Sequence, residues 1–504
     1  MSEDLPSGWA QTDIGTLGRY INGRGFGKAE WKKAGLPIIR IQNLNDESAS
    51  FNYSDQEHEE KYRVNDDDLL VAWAASLGVY VWKRGPAWLN QHIFRVEVEE
   101  RAVTKTFLYY ALKDALAALY KKAHGSGMVH ITKAKFDRHP LKLPPLNEQV
   151  RIVSKIDELF SRIDEGERAL ARVSKLVERY RQSVLKAAVT GELTRSWREA
   201  RKAAGEPVES GEALLARILT ARRQAWEQAE LAKMQGKGIT PKDDAWKKKY
   251  SEPPVPSFGL NDLFPEEWAQ LSLEQATRAD RPIAYGVLQP GKDVPSGIPM
   301  IRICDVADGI IDQSNLKRVA ESISRKFPRT LLQGREVLLT LVGTIGRTAI
   351  VPDDLAGANV ARAVGVLSTV PNILPEWLEI YLRSEGARQL LVENAREVAR
   401  KTLNLEQLRE YAVPIPCLDE QREVVSRVSE LLSRADAAAN AITKQVSCAG
   451  ALRQSTLKSA FIGKLVPHGP KDEPASILLE RIAAERVQSN TATPKRGRKP
   501  KTSA

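Results

Sequence analysis

Two short glycine-containing segments have residue types that could bind a phosphate group. The segment "GVLQPGKD" (286–293) resembles a phosphate-binding loop, in which backbone N–H groups surround the phosphate and a lysine neutralises its charge. However, Asp293 stands where a Ser or Thr would bind Mg²⁺, and Pro290 lies inside the loop. The segment "INGRGFGK" (21–28) lacks the glycine spacing of a dinucleotide-binding turn. We therefore interpret both segments as turns and not as nucleotide sites.

Other patterns of catalytic residues are also incomplete. "EEK" (59–61) has the carboxylate–lysine spacing of a nuclease site, but no Pro-Asp on a strand precedes it. The six histidines and three cysteines are scattered without the spacing of metal ligands or of a disulfide framework. The two Pro-Pro pairs, in "LPPLNE" and "EPPVPS", do not match the Asn/Asp-Pro-Pro-aromatic segment that holds a flipped base in DNA methyltransferases. We expect a chain that is not an enzyme and that binds no metal or cofactor itself.

The charge of the chain indicates the class of its partner. The 504 residues carry a formal net charge of +11. A basic protein of this size without membrane features most often binds nucleic acid, although an acidic protein partner would also explain the charge. The N-terminus has no signal-peptide pattern, and no apolar run approaches the roughly 20 residues that cross a bilayer. We therefore expect a cytoplasmic protein.

One long segment of the sequence occurs twice. "PPLNEQVRIVSKIDELFSRID" (144–164) matches "PCLDEQREVVSRVSELLSRAD" (416–436), and "RQSVLKAAVTGEL" (181–193) matches "RQSTLKSAFIGKL" (453–465). Both matches have the same offset of 272 residues, so about 50 residues align without a gap. Equal length over this distance indicates that the length of a helix is itself maintained. Each copy ends in a glycine, Gly191 or Gly463, which we expect to be a left-handed C-cap.

Weaker similarities extend this repeat to the segments before each helix. "LPIIRIQNLN" (36–45) resembles "IPMIRICDVAD" (298–308), with short β-branched runs and Gly/Pro turns around both. We predict an α+β fold, in which two similar globular α/β domains are separated by two long helices that form an antiparallel coiled coil with pseudo-two-fold symmetry. The predicted parts are a first globular domain (1–146), a first long helix (147–193), a charged helical connector and linker (194–262), a second globular domain (263–418), a second long helix (419–465), and a C-terminal helix with a disordered basic tail (466–504).

The two long helices have apolar residues at alternating steps of three and four, which is typical of a coiled-coil seam. The first helix has bulky seam residues and the second has smaller ones, which favours a close pair. The alternative is that each helix only covers its own globular domain. The predicted seam residues are Ile156, Leu159, Ile163, Leu170, Val173, Val177, Val428, Leu431, Ala435 and Ile442.

Several segments resemble the conserved regions of the specificity (S) subunits of type I restriction–modification systems. They are "PPLNEQVRIVSKIDELF", "LKAAVTGELT", "PIPCLDEQREVVSRVSELL", "LKSAFIGKLVP" and "DEPASILLERI". The resemblance covers essentially the whole chain, including the "YGVLQPG" turn. It implies two target recognition domains, each reading half of a bipartite, asymmetric DNA site, with the coiled coil fixing the unread gap.

The same resemblance implies the partners. Two methyltransferase (M) subunits would bring S-adenosylmethionine and methylate adenine N6 after flipping it from the DNA. Restriction (R) subunits would add ATP- and Mg²⁺-dependent cleavage, while the S subunit catalyses nothing. The tail segment "RGRKP" resembles a minor-groove AT-hook, although a solvated basic tail is the alternative.

Base reading needs Arg, Asn, Gln, Lys, Ser or Thr on base edges, together with cations on phosphates. For each candidate, a solvated surface residue is the alternative. The candidates in the first domain are Arg24, Lys28, Lys32, Lys33, Ser76, Asn90, Gln91, Ser126, Lys133 and Lys135. Those in the second are Gln289, Lys292, Thr344, Arg347, Asn359, Arg362, Arg396, Arg400 and Lys401.

Two other functions compete with a specificity subunit. The first is a non-enzymatic, two-headed coiled-coil scaffold that binds protein partners, and the second is a fused restriction enzyme whose active site escapes recognition. The scaffold predicts no salt-dependent DNA binding. The fused enzyme predicts methylation by the purified chain alone. The sequence specifies neither the target bases nor the length of the gap.

Overall fold

The computed structural model describes residues 5–74, 76–123, 132–241, 243–260, 263–397 and 401–491. The strands of the first part are β1 (Ala10–Asp13), β2 (Gly18–Asn22), β3 (Leu36–Ile39), β4 (Asn52–Ser54), β5 (Arg63–Val64), β6 (Leu69–Ala72), β7 (Gly78–Val81), β8 (Ala87–Leu89), β9 (Ile93–Val98) and β10 (Pro140–Leu143). Its helices are α1 (Ile41–Asn45), α2 (Lys105–Ala123), α3 (Lys133–Asp137) and the long α4 (Leu146–Val189).

The remaining part repeats this order after a helical connector. Its strands are β11 (Ala269–Ser272), β12 (Ala284–Tyr285), β13 (Ile298–Ile301), β14 (Val306–Ala307), β15 (Ile310–Ile311), β16 (Lys317–Val319), β17 (Val337–Thr340), β18 (Thr348–Ile350), β19 (Asn359–Val360), β20 (Val364–Leu367), β21 (Arg396–Glu397), β22 (Lys401–Thr402) and β23 (Ala412–Ile415). Its helices are α5 (Arg195–Ala203), α6 (Gly211–Gln235), α7 (Leu273–Ala276), α8 (Glu321–Ser324), α9 (Pro375–Arg383), α10 (Glu385–Glu393), α11 (Leu405–Arg409), the long α12 (Leu418–Phe461) and α13 (Ala475–Thr491).

The chain divides into two compact units that each combine distant parts of the sequence. Unit 1 consists of Met1–Ala171 and Thr443–Ala504, and unit 2 consists of Arg172–Ile442. Each long helix therefore contributes one part to each unit. Strands and helices are mixed in both units, which confirms the predicted α+β class.

Unit 1 is built around an antiparallel sheet with the strand order β2-β9-β6-β7. A second sheet has the order β4-β3-β8-β5, and β1 pairs with β10. Strand β6, "LLVA", is buried at every position because its two faces contact different cores. Leu69 and Val71 pack in the core that contains α2, whereas Leu70 packs with residues of the second sheet. This double burial explains why β6 is a continuous apolar run instead of an alternating strand.

Unit 2 repeats this topology with different loops. Its main sheet has the order β12-β20-β17-β18, a second sheet has the order β16-β13-β19, and β11 pairs with β23. Strand β17, "VLLT", takes the place of β6 and is also buried at every position. The central parallel pair recurs as well, because Ile38 pairs with Trp88 in unit 1 and Met300 pairs with Asn359 in unit 2. The similarity read from the sequence is therefore a similarity of strand order.

The two long helices have the same length and lie antiparallel within each unit. Both contain 44 residues. In unit 1, Arg453 of α12 contacts Asp164 of α4, and in unit 2 Arg181 of α4 contacts Asp436 of α12 at 2.6 Å. The two contact residues are 17 positions apart on α4 and 17 positions apart on α12, in opposite order. The helix pair therefore has the same antiparallel register in both units.

Four of the predicted seam residues are buried, and one is exposed. Ile156, Ile163, Val428 and Ala435 are buried. Val173 is 44% exposed, so its prediction as a buried seam residue is wrong. Val173 is not among the residues that pack in or against the hydrophobic core of unit 2, so that core does not cover it. The partly buried seam residues are Leu159, Leu170, Val177, Leu431 and Ile442.

The glycines that end the repeated segment are left-handed C-caps, as predicted. Gly191 has φ 71° and Gly463 has φ 73°. A Cβ on Gly191 would lie 2.4 Å from Cγ of Pro265, and a Cβ on Gly463 would lie 2.5 Å from Cγ of Pro6. Glycine is thus required at both positions by the backbone conformation and by the close approach of a proline.

Each unit is completed by a helix that lies outside the predicted recognition domain. In unit 2, α6 of the connector buries Leu214 and Ile218 in the main core. In unit 1, α13 buries Leu478 and Ile482 in the equivalent way. The connector and the C-terminal segment therefore have a structural role in the cores. Among the described residues, no helix is both long and apolar enough to span a membrane.

Candidate nucleic-acid interface

In unit 1, the turns at one end of the main sheet are joined by backbone hydrogen bonds. The loop after β2 begins at Gly23, whose N–H donates to Ile93 O at 3.0 Å. Arg24 N donates to Leu89 O, and Gln91 N donates to Arg24 O at 2.7 Å. The end of β6 joins the same place, because Trp73 N donates to His92 O at 3.1 Å. The predicted base-reading residues Arg24, Asn90, Gln91 and Ser76 therefore lie on turns that meet at one end of the sheet.

The Arg24 side chain belongs to a network that the sequence did not predict. Its Nη2 donates to Glu30 Oε1 at 2.6 Å, its Nη1 bonds to His58 Nδ1, and its guanidinium lies 4.6 Å from the centre of the Phe26 ring. Arginine has no acceptor, so His58 Nδ1 must accept this bond and His58 Nε2 must carry the proton. His58 Nε2–H then donates to Ser54 Oγ at 2.9 Å. The network orients Arg24 while leaving its side chain 28% exposed.

This network shifts the pKa of two of its members. The pKa of Glu30 is lowered, mainly because the carboxylate accepts a hydrogen bond from Gly27 N–H at 2.8 Å and also because of Arg24. The pKa of His58 is lowered, mainly by desolvation and then by the charge of Arg24. Both shifts favour the ionised Glu30 and the neutral His58 on which the orientation of Arg24 depends. Neither residue has a motif-like spacing in the sequence, so only the fold reveals the network.

Unit 2 brings its turns together in the same way. Val287 N donates to Val360 O at 2.7 Å, and Arg362 N donates to Val287 O at 2.9 Å. Leu341 N donates to Ala363 O, and Leu403 N donates to Leu341 O. The loop with Gln289 and Lys292, the turn with Thr344 and Arg347, and Arg362 are therefore joined at one end of the sheet. Arg347 is partly buried, and the other four residues are exposed.

The predicted lysines of unit 1 are exposed, but one of them already has partners. Lys28, Lys32, Lys33 and Lys135 are exposed. Lys133 Nζ donates to Tyr20 O at 2.9 Å and lies 3.5 Å from Asp137 Oδ2. These contacts give Lys133 a structural role in addition to its predicted role with DNA.

The prediction of Asn359 as a base-reading residue is wrong. Asn359 is fully buried in strand β19. Its Oδ1 accepts from Thr330 Oγ1 at 2.7 Å, and its Nδ2 donates to Ser324 Oγ at 3.0 Å. A base edge cannot reach an amide that is enclosed and hydrogen-bonded in this way. The backbone of Arg396 and Lys401 lies in the β21–β22 hairpin, while Ser126, Arg400 and the "RGRKP" segment lie outside the described residues.

Two buried residues at the start of each long helix position the helix on its unit. Glu148 accepts from Trp9 Nε1 at 2.9 Å in unit 1, and Glu420 accepts from Trp268 Nε1 at 2.9 Å in unit 2. Next to them, Gln149 and Gln421 each accept from a backbone N–H and donate to two backbone carbonyls. The repeated "EQ" in the sequence was the available signal for this anchor.

Comparison with known proteins agrees with this architecture. The family described as "Type I restriction modification DNA specificity domain" matches residues 6–172 and 290–447. The type I restriction enzyme EcoBI specificity subunit of Escherichia coli is 32% identical over 492 residues, which cover 95% of this chain and 93% of that protein. The EcoKI specificity subunit of Escherichia coli strain K12 is 23% identical and covers 96% of this chain and 97% of that protein.

A solved structure has the same fold. It comes from work on complex assembly and conformational transition of the type I R-M system, and it aligns with a TM-score of 0.59 at 16% identity. The alignment covers 92% of this chain and all of that chain. Since two matched segments make up more than half of the sequence and a 32%-identical relative spans nearly all of it, this chain belongs to the family of type I restriction–modification DNA specificity subunits.

Proposed function

We propose that this chain recognises the DNA target of a type I restriction–modification complex, and that each unit reads one half of a bipartite, asymmetric site. The observation that carries this proposal is the recurrence of one turn arrangement with different side chains. In unit 1, Arg24 and Gln91 lie on the turns that backbone hydrogen bonds join at one end of the sheet. In unit 2, Gln289 and Arg362 lie on the corresponding turns. The same scaffold with different hydrogen-bonding groups would read two different base sequences.

The long helices set the length of the gap between the two half-sites. Their equal length of 44 residues and their common antiparallel register support this role. Rigid helices rise by about 1.5 Å per residue and can therefore act as a spacer. A gap fixed by protein length is analogous to the half-site spacing of dimeric DNA-binding proteins.

The partner subunits supply the chemistry. Two methyltransferase subunits bind S-adenosylmethionine and methylate adenine N6, and restriction subunits use ATP and Mg²⁺ to cleave unmodified DNA. The chain itself is non-catalytic, and the complex acts on DNA in the cytoplasm. Three apolar residues in the C-terminal half of α4 support a docking surface for the methyltransferase subunits: Val173, Leu176 and Tyr180 are 44%, 58% and 43% exposed.

The proposal is tested by co-expressing the chain with type I methyltransferase subunits in a host without other adenine methylation. Long-read mapping of methyladenine is expected to give one bipartite motif. Arg24→Ala should relax one position in one half-site, and Arg362→Ala should relax one position in the other. Lys28 is proposed to contact a phosphate, so Lys28→Ala should weaken binding to all DNA sequences equally. If no complex forms and no methyladenine appears, the proposal is wrong.

A further inference from the structure

Unit 1 has an open cleft between strand β7 and helix α2. The cleft has a volume of about 1240 Å³ and is lined by the residues of β7 and by one face of α2. Tyr80, Tyr109 and Tyr120 provide aromatic surface, and Lys83, Lys105 and Lys113 provide charge. Strand β7 is the last strand of its sheet, and all four of its residues line this cleft. A strand edge beside a groove is a template for an added strand.

The matching place in unit 2 is filled by the β14–β15 hairpin of that unit. Gly309, in the turn of the hairpin, donates its N–H to Thr348 O of β18 at 2.8 Å. Asp308 forms an ion pair with Arg388 of α10 at 2.7 Å. A Cβ on Gly309 would lie 2.8 Å from Nη1 of Arg383 on α9. The hairpin therefore lies against both the sheet edge and the helices.

Equivalent hydrogen bonds establish which residues correspond in the two units. Thr104 N donates to Gln149 Oε1 in unit 1, and Leu374 N donates to Gln421 Oε1 in unit 2. This correspondence places Lys113 of α2 at the position of Arg383 of α9. It also places Tyr109 at the position of Glu379, whose Oε1 lies 4.0 Å from a Cβ on Gly309. Arg383 and Glu379, which lie beside the hairpin turn in unit 2, thus have counterparts that line the cleft in unit 1.

Chain length explains why unit 1 has no hairpin there. The segment between β13 and β16 in unit 2 has 15 residues (302–316), and the segment between β3 and β4 in unit 1 has 12 (40–51). The shorter segment contains only α1 and contacts β7 through a hydrogen bond from the Tyr80 hydroxyl to Asn45 Oδ1 at 2.6 Å. Among the described residues of unit 1, no strand pairs with the outer edge of β7.

The charges of the cleft indicate the chemistry of its occupant. Three exposed lysines line it, against a single carboxylate, that of Asp67. The C-terminal segment of this chain, "TPKRGRKPKTSA", has five cations and no anion, so its charge does not fit the cleft. Nucleic acid would match the charge, but unit 2 fills the same place with extended polypeptide that carries aspartates.

We propose that the cleft between β7 and α2 binds an extended, acidic segment of a partner protein, which adds a strand to the edge of β7. Backbone hydrogen bonds with β7 would supply affinity, and the lysines would select for carboxylates. This surface lies outside the turns that are proposed to read DNA, except that Ser76 borders both. The proposal is independent of which bases the units read.

The test uses the full-length chain and a labelled peptide with the hairpin sequence of unit 2, "DVADGIIDQ" (residues 305–313), which has three aspartates. We expect saturable binding that weakens with salt and weakens at least tenfold in the double variant Lys83→Glu/Lys113→Glu. The matched control, Lys464→Glu/Lys471→Glu, changes the net charge equally at exposed residues outside the cleft and should bind like the parent. Hydrogen exchange of the β7 amides should slow when the peptide is bound.

Two results would overturn the proposal. One is equal binding of the peptide to the cleft variant and to the control variant, or binding without added protection of β7. The other is a selective loss of affinity for a duplex oligonucleotide in the cleft variant with unchanged peptide binding, which would identify the lysines as DNA contacts. A peptide in which the three aspartates are replaced by asparagines should bind at least tenfold more weakly. This result would distinguish selection by charge from nonspecific binding.

Discussion

Trp9 and Glu148 form a buried hydrogen bond that ties the N-terminal strand region of unit 1 to the start of α4, and its copy in unit 2 joins Trp268 to Glu420. Both bonds measure 2.9 Å from indole nitrogen to carboxylate oxygen. The other partners differ, because His468 Nδ1 contacts Glu148, whereas Thr194 and Arg198 donate to Glu420. The same anchor is therefore electrostatically stronger in unit 2, where it includes an arginine.

This difference predicts unequal costs of removing the two carboxylates. Glu148→Ala leaves the Trp9 indole without its acceptor, which should lower the free energy of unfolding by about 1–3 kcal/mol. Glu420→Ala also leaves the charge of the largely buried Arg198 without a carboxylate and should cost about 3–5 kcal/mol. Urea titrations measure both values. Glu158→Ala, an exposed pair member on the same helix, is the control and should change the value by less than about 0.5 kcal/mol. Equal effects of the three substitutions on the free energy of unfolding would contradict the anchoring role of Glu148 and Glu420.

The two C-cap glycines give a second prediction. Gly191→Ala and Gly463→Ala force a Cβ into a left-handed backbone and against a proline, so each should destabilise the protein by about 1–3 kcal/mol. Gly166 lies inside α4 with no neighbouring atom within 4 Å of a Cβ. Gly166→Ala should therefore stabilise the protein by about 0.5–1 kcal/mol. Thermal unfolding of the three variants checks the opposite signs, and a destabilising Gly166→Ala would refute the reasoning.

The antiparallel register of α4 and α12 predicts which insertions should change the gap between the two half-sites. Insertion of seven residues in α4 between Glu167 and Arg181, together with seven in α12 between Asp436 and Arg453, keeps both ion pairs and lengthens the pair by about 10 Å. The gap in the methylated motif should grow by about three base pairs, with the bases of both half-sites unchanged.

Insertion in α4 alone is the matched control for this experiment. It shifts the register of one helix against the other, so that both ion pairs cannot form together, and methylation should be lost or greatly reduced. Methylation mapping distinguishes the outcomes. A changed base preference with an unchanged gap would show that the helices do not set the spacing.

The His58 network predicts that DNA binding through unit 1 weakens in acid. The pKa of His58 is lowered in the folded chain by desolvation and by Arg24, against the opposing charges of Glu30 and Glu57. The unfolded chain therefore binds a proton more readily, and the stability of the network is lost as the pH falls below about 6.5. Protonated His58 can no longer accept from Arg24, so the orientation of Arg24 should be lost as well.

This pH effect has a non-titrating control. In His58→Gln, the amide oxygen can accept from Arg24 and the amide nitrogen can donate to Ser54, without a proton to gain. Affinity for the mapped target, measured by fluorescence anisotropy from pH 7.5 to 5.5 at constant salt, should fall more steeply for the parent chain than for this variant. Parallel pH profiles would exclude His58 as the cause.

Repeats and periodicity predicted the helix pair, because length and spacing are written locally in the sequence. The 272-residue offset, the equal helices and the glycines Gly191 and Gly463 were all readable in this way. The break at Ser384 could not be read from the sequence, because the pattern of the segment 375–395 is that of one continuous helix. The structure divides it into α9 and α10, with Ser384 extended and its hydroxyl donating to Tyr381 O at 2.7 Å.

The side-chain networks could not be predicted, because their partners come from distant segments. Asn359 looked like a polar loop residue, yet Thr330 and Ser324 satisfy its amide inside unit 2. His58 was one of six scattered histidines, and only folding places it against Arg24. Burial and partner choice of polar groups depend on tertiary contacts, whereas helix length does not.

Unit 1 is built from two separate segments of the chain, and this has a consequence for its folding during synthesis on the ribosome. Its core needs Ala460 of α12 and Leu478 of α13, which are made long after the strands of its N-terminal part. The ribosome must add the 271 residues of unit 2 (172–442) before the first residue of the second segment of unit 1 exists. At about 5–20 residues per second, this takes on the order of 15–55 seconds. Unit 2 is continuous and can form first, so the domain that is translated first is the last to be completed.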